Sequence, residues 1–403
     1  MLDLGLLRRL QTPEGESALQ AAAEGQPDEE SFLAESQRLA RRFPERLARA
    51  AVEQVILRRR ARAKFQHADR MFFVREALEQ ATVEAVARHR AARFAGAPWI
   101  VDLGCGIGGD TLAFAAAGSV VAVDRDPLRL AALRANAAVL GRTGAIHPVL
   151  ADILHPAYQP PSSTLAFADP SRRAGSRRFR STTSSDPPLQ QLMALLVPFD
   201  GWAVKLSPAV SRDELASIPA ELEFVSLDGE LKEATLWGGR LRAGARRATL
   251  LPEGASLTGD VEPDIDVGPI EGYLLEPDPA VLRARLVHTL AVRLGVHLID
   301  PDIALLTGPE SVETPFVRTF KVLEVLPAGS RALRLTLRSR GFGQVTLMKR
   351  GSSVDAEAFH QGLRMGDAGE ATVLLTRANG KHVALLLERV PQAGPSRKDT
   401  GTV

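Results

Sequence analysis

A single cysteine in 403 residues, Cys105, excludes an internal disulfide framework and any zinc or iron–sulfur site built from several thiolates. Aromatic residues supply only 5% of the chain, with two tyrosines and three tryptophans, so its cores must be aliphatic. No run of about 18 uncharged apolar residues occurs, which speaks against a membrane-spanning helix. The opening MLDLGLLRRL lacks the apolar stretch of a secretory signal. A soluble, cytoplasmic protein is expected. Net charge is also scarce, +2 from 50 basic and 48 acidic residues, so the informative question is where the charges sit. At about 100–200 residues per domain, the length predicts two or three domains.

Residues 1–95 read as a helical N-terminal domain, with Pro13 and Pro27 as punctuation and apolar residues at helical spacing from Phe32 to Ile56. Between Arg38 and Arg75 stand twelve Lys or Arg against three acids. Arg58, Arg59, Arg60, Arg62 and Lys64 cluster densely enough to suggest a polyanion-binding face as well as a solvated one. At Ala97 the pattern changes. WIVDLG (99–104), SVVAVD (119–124), AIHPVL (145–150), TLAFAD (164–169) and WAVKLS (202–207) are short apolar runs alternating with helical stretches. That alternation predicts an α/β, doubly wound, Rossmann-like sheet over 96–253. EFVSLD (223–228), ATLWGG (234–239) and RRATLL (246–251) lack helices between them and suit an antiparallel edge. Residues 254–315 read as a linker carrying a helix at 278–295, which Asp278-Pro279 would open. A small α+β domain is expected over 316–391, with strands at 317–326, 332–340 and 344–350, a helix at 355–364, and two last strands turning at Asn379-Gly380. The tail 392–403 reads as disordered.

The segment VDLGCGIGGD (101–110) joins the first strand to the first helix, and its glycines let main-chain N–H groups approach a ligand. Gly104, Gly106 and Gly109 also satisfy G-x-G-x-x-G, with Asp124 twenty residues beyond Gly104, as in a dinucleotide site. Three carboxylates argue for a different ligand. Asp102 at the end of the first strand would repel a pyrophosphate but attract a cationic methionine moiety. Asp124, ending the second strand, suits two ribose hydroxyls, and Asp152, after the third, suits an adenine amino group. An acid at three consecutive strand ends fits an adenosine bearing a positive sulfonium and no phosphate.

VDLGCGIGGDTLAFA (101–115), AVDRD (122–126) and LADIL (150–154) resemble the motifs of class I S-adenosylmethionine-dependent methyltransferases. The resemblance implies S-adenosyl-L-methionine as cofactor, held by Asp102, Gly104, Cys105, Gly106, Gly108, Asp110, Asp124, Arg125, Asp152, Ile153 and Asp169. KFQHADRMFFVREALEQATVEAVARHRAARF (64–94), YLLEPDPAVLRARLV (273–287) and the stretch from QVTLMKRG to ATVLLTRANGK (344–381) are similar to a bacterial branch with a helical N-terminus and a THUMP-like C-terminal domain. THUMP domains bind RNA, often tRNA, so the likeness implies RNA as partner. A weaker likeness to trimethylguanosine synthases implies that Gln80 or Thr82 touches the cofactor.

TLAFADPSRR (164–173) puts Asp169-Pro170 at the end of the fourth strand. In this family that position lies beside the transferred methyl group. Amino-directed enzymes carry an aromatic residue after the prolines; here Ser171 and Arg172 follow, so no aromatic platform is present. Asp169 is expected to orient the acceptor, and Arg172 and Arg173 to bind substrate through charge or guanidinium stacking. Residues 171–185 hold five arginines and no acid, a suitable neighbour for an anionic substrate. Lys205 sits on the same rim, either as an acceptor-binding group or as rim charge. Trp237 reads as core before it reads as a base platform. Arg331, Arg334, Arg338, Arg340, Lys349 and Arg350 would line two neighbouring strands, meeting phosphates or guarding an edge. The histidines are scattered without ligand spacing, and no metal is expected. The leading expectation is methylation of a nucleobase in structured RNA, tRNA or rRNA. The alternatives are a small-molecule or protein methyltransferase, or a non-catalytic RNA-binding protein with a retained cofactor pocket.

Overall fold

The computed structural model describes residues 2–154, 161, 163–170, 173–174, 177–178, 186–328, 330–342, 344–352 and 370–391. Arg172, the expected helix at 355–364 and the tail 392–403 lie outside the described residues. The chain forms two compact units, Met1–Ala220 with Thr235–Ala243, and Glu221–Ala234 with Gly244–Val403.

The first unit opens with α1 (Leu4–Leu10), α2 (Pro13–Glu24), α3 (Phe32–Ala40), α4 (Glu45–Ala61), α5 (Arg75–Gln80) and α6 (Glu84–Ala92). Thr12 caps α2 with Pro13 in its first turn, where the missing N–H costs nothing. Next come β1 (Trp99–Leu103), α7 (Thr111–Phe114), β2 (Ser119–Asp124), α8 (Pro127–Val139), β3 (Ile146–Leu150), β4 (Leu165–Ala168), α9 (Leu189–Leu196) and β5 (Gly201–Leu206). The N-terminal helices share one core with this sheet layer: Leu7, Leu47, Val52 and Phe73 are buried together with Ile107, Leu130 and Leu133. Asn136 of α8 ties the two parts, accepting from the Phe72 N–H at 2.7 Å and donating to the carbonyls of Phe72 and Ile107.

Neighbouring strands β3-β2-β1-β4-β5 pair in parallel throughout. Every residue of β4 and β5 is buried, as expected of strands covered on both faces. The strand order reverses between β1 and β4, and the crevice at their carboxyl ends is where open α/β sheets bind ligands. Trp237 is fully buried against Phe94, a core residue and not an exposed base platform.

β6 (Glu221–Leu227), in the second unit, turns through Asp228 and Gly229 into the strand Glu230–Gly239, called β7, of which Thr235–Gly239 count with the first unit. Both turn residues are left-handed, at φ 53° and 76°, the signature of a tight hairpin that makes this edge antiparallel. β8 (Arg246–Leu251) runs parallel to β6 but antiparallel to β9 (Ala255–Gly259). Residues 254–315, expected as a linker, also carry β10 (Tyr273–Pro277), β11 (His297–Asp300) and β12 (Ile303–Gly308). The helix expected at 278–295 is two, α10 (Pro279–Arg283) and α11 (Val287–Leu294), separated by Arg285 at φ 52°. Asp278 caps α10 as its position implied, accepting from Ala280 N–H. With β13 (Val317–Pro327), α12 (Ser330–Ser339), β14 (Gln344–Lys349), β15 (Glu370–Ala378) and β16 (Lys381–Arg389), the strands form a seven-stranded sheet ordered β11-β12-β10-β13-β16-β15-β14. The β15–β16 hairpin turns at Asn379-Gly380 as expected, both residues left-handed.

The strand expected at 332–340 is corrected: residues through Ser339 are helical. Leu333, Leu335 and Leu337 alternate, which fits a strand, yet 333 and 337 are also one helical turn apart. Leu333 and Leu337 are fully buried while Leu335 is 64% exposed, a helical pattern. Arg338 and Arg340 therefore do not share a strand face. Leu337→Ala is expected to cost about 2–5 kcal/mol, while Leu335→Ala leaves the midpoint nearly unchanged. Equal losses in urea denaturation of the two variants would contradict the helical assignment.

Candidate functional site

The glycine loop after β1 is shaped by its contacts with β2 and β4. Gly104 and Cys105 donate their N–H groups to the same Val123 carbonyl, at 2.9 and 3.0 Å, and Asp169 donates its own to Leu103 O at 3.2 Å. Gly104 is left-handed at φ 88°, and a Cβ there would stand 3.2 Å from the Asp169 carbonyl. The loop and the end of β4 thus touch, which joins two of the expected elements. Gly106 is also left-handed, and a Cβ there would meet nothing within 4 Å, leaving open space beside its main chain. Gly108 serves packing instead: a Cβ would overlap Leu133. Cys105 is buried, and that burial pushes its thiol well above the usual range, the opposite of what a nucleophilic cysteine needs.

Two carboxylates, Asp102 and Asp124, lie at this loop, and Asp152 follows the neighbouring strand. Asp102 is 1% exposed. Its Oδ2 accepts from Thr111 Oγ1, and its Oδ1 is buried with no hydrogen-bond partner among the described residues. Burial pushes its carboxyl up to about 7; the Thr111 bond opposes this, Asp169 and Asp124 add to it by like charge, and Arg90 offsets part. Asp124 accepts from the Gly106 N–H at 2.8 Å and the Asp126 N–H at 2.9 Å, so it pins the loop to the end of β2. Asp152 is exposed and accepts from the Leu154 N–H at 3.0 Å, beside half-buried Ile153. Arg125 points to solvent and pairs with Asp186 at 3.3 Å.

Asp110, expected against the cofactor, is engaged inward. It accepts from Thr82 Oγ1 at 2.8 Å and pairs with Arg90, whose guanidinium lies 4.6 Å from the Phe167 ring centroid. Thr82 in turn accepts from Lys205 Nζ at 3.0 Å, and Lys205 donates to Asp169 Oδ2 at 2.7 Å. Sequence reasoning left Lys205 undecided and could not see this chain of contacts, because its members come from four separate segments. Arg173 lies in a two-residue strand, Arg173–Ala174, paired with Arg177–Arg178.

The basic cluster at the end of α4 is engaged within the protein, although Arg59, Arg60 and Arg62 stay exposed. Arg58 donates to Met71 O, Arg59 to Gln26 O and Pro27 O, and Lys64 to the carbonyls of Leu78, Glu79 and Ala81. Arg60 pairs with Glu29 and Arg62 with Asp69. All five side chains thus have partners within the helical region. In the second unit Arg340 pairs with Glu324, and Arg350 donates twice to the buried Glu276. Among the described residues no cluster of His, Cys, Asp or Glu is set to hold a metal, and no helix is long and apolar enough to cross a membrane.

Residues 97–186 match the family described as RNA cap guanine-N2 methyltransferase, and residues 317–389 the THUMP domain-like family. Residues 3–61 match a domain family of unknown function. Two Mycobacterium tuberculosis proteins, each named an uncharacterized S-adenosylmethionine-dependent methyltransferase, are 35% identical over 337 residues, covering 81% of this chain and 92% of theirs. A crystal structure of a candidate methyltransferase from Porphyromonas gingivalis shares the fold, with a TM-score of 0.70 and 23% identity over 91% of this chain and all of that one.

The residues present fit S-adenosylmethionine. The orphaned Asp102 oxygen, buried beside a loop with open space at Gly106, suits the cationic methionine amino group. Because that carboxyl sits near 7, binding a cation ionises it and releases a proton. S-adenosylhomocysteine, which keeps the amino group, is expected to bind about tenfold more weakly at pH 6 than at pH 8. Asp102→Asn should weaken binding and flatten that profile; calorimetry showing the same slope in the variant would exclude Asp102 as its source. Arg90→Met, which strands Asp110 in the interior, should cost about 3–5 kcal/mol of stability, read from the denaturation midpoint. By its relatives, its fold and its glycine-loop site, the chain belongs to the S-adenosylmethionine-dependent methyltransferases and carries a THUMP-like region at residues 317–389.

Proposed function

We propose that the chain methylates a nucleobase in structured RNA, tRNA or rRNA, in the cytoplasm. The observation that carries the reaction site is the contact between the cofactor loop and the end of β4. The Asp169 carbonyl stands against Gly104, and the Asp169 side chain remains 26% exposed, reachable by a ligand. The cofactor supplies a methyl group already activated on a sulfonium. The work left to the protein is alignment and, for an amine acceptor, accepting its N–H. Asp102 holds the methionine end, Asp124 the ribose and Asp152 the adenine amino group. Asp169 accepts from the acceptor through its carboxylate, and Arg172 and Arg173 hold the substrate's anionic part.

The likeness of 97–186 to an RNA methyltransferase family and of 317–389 to THUMP domains supports an RNA acceptor. A second reading, a small-molecule or protein acceptor, is favoured by one observation. The arginine cluster of α4, Arg340 and Arg350 are all engaged within the protein.

Methyl-labelled cofactor incubated with total RNA from cells lacking the gene separates the two. The first reading expects label in RNA, and binding that weakens steeply with salt. Asp169→Ala should lose about 100-fold or more of that transfer. Label confined to protein or small molecules would overturn the RNA assignment. Nucleoside mass spectrometry of cells with and without the gene would name the modified base.

A further inference from the structure

Lys205 is a buried cation that methyl transfer does not itself require. Its side chain is 5% exposed, and its ammonium is shared between Asp169 Oδ2 at 2.7 Å and Thr82 Oγ1 at 3.0 Å. An exposed salt bridge fixes little, because both side chains move and water competes. Here the cation is enclosed, comes from a fully buried strand, and is held by a second partner that is itself held. Thr82 donates to Asp110, and Asp110 pairs with the buried Arg90. The far end of this chain is therefore rigid.

A carboxylate at a strand end otherwise turns about its two side-chain bonds. Anchoring Oδ2 on Lys205 removes that freedom, and the described residues give Oδ1 no partner. One oxygen is thus left to receive an acceptor N–H at a set position. The pairing also neutralises the ammonium, which would otherwise repel the sulfonium nearby.

We propose that Lys205, held by Thr82, is a positioning residue for methyl transfer: it locks the Asp169 carboxylate so that a single oxygen meets the acceptor. This rests on the reading of Asp169 as the acceptor-orienting residue. It also gives the segment between α5 and α6 a part in the reaction, because Thr82 comes from there.

The test uses the full chain, methyl-labelled S-adenosylmethionine and soluble extract of cells lacking the gene as acceptor, fractionated afterwards into RNA, protein and small molecules. Lys205→Met should lower apparent kcat about 10- to 100-fold, with apparent KM for the extract and calorimetric affinity for S-adenosylhomocysteine within twofold of wild type. Lys205→Arg, which keeps a charged donor, should regain most of the rate. Thr82→Val should show the same kcat-only loss to a smaller extent, and it replaces Lys205→Met should that variant fail to fold. If Asp169→Asn transfers at the wild-type rate, the underlying reading of Asp169 falls and the proposal with it. If Asp169→Asn is inactive while Lys205→Met, or Thr82→Val in its place, keeps kcat within twofold, the proposal alone is overturned. A loss of cofactor affinity parallel to the loss of rate, unrescued by arginine, would make Lys205 a structural residue and overturn it equally. Label found outside RNA would change the acceptor assignment and leave this comparison of variants intact, whereas no label in any fraction would overturn both.

Discussion

A buried carboxylate must be met by a cation, by donors or by a proton, and the site is organised around that requirement. Asp102, Asp110 and Asp124 are each less than a tenth exposed, and Asp169 stands beside them. Each is answered differently. Asp110 has Arg90 and Thr82, Asp124 has two main-chain N–H groups, and Asp169 has Lys205. Asp102 has one hydroxyl and one oxygen unmet, and burial raises its carboxyl to about 7. Of these four acids, only Asp102 has a buried oxygen without a partner among the described residues. A cationic ligand would complete the set, whereas a pyrophosphate would be repelled by these acids.

The same requirement explains the fate of the basic residues. Arginine and lysine at the end of α4 satisfy carbonyl groups at the ends of neighbouring segments, so they stitch the helical region together. Helix ends and turns leave carbonyls without intrahelical partners, and long cationic side chains are well suited to reach them. Glu276 in the second sheet shows the converse case, one buried acid clamped by Arg318 and Arg350. Charge density along a sequence thus overstates the charge offered to a partner.

The helical N-terminus lies in the same compact unit as the parallel sheet. It shares a hydrophobic core with α8, and it sends Arg90 and Thr82 to the strand ends. That coupling connects the helices to Asp169, through Lys205 on β5.

The sequence by itself determined the parallel sheet, the glycine loop, the carboxylates that crowd it and the Asn-Gly hairpin, because each depends on local chemistry: strand period, left-handed turns and strand-end position. It misassigned 332–340, where alternating leucines satisfy both strand and helix periods and only burial of Leu333 and Leu337 decides. It split the helices from the sheet and joined α10 to α11, since domain limits and a single left-handed residue leave little trace in composition. It also left Lys205 undecided and could not show what the α4 arginines pair with. Only tertiary structure could settle those, because a charged side chain carries the same letter whether its partner is water, a carbonyl forty residues away or a carboxylate at the next strand's end.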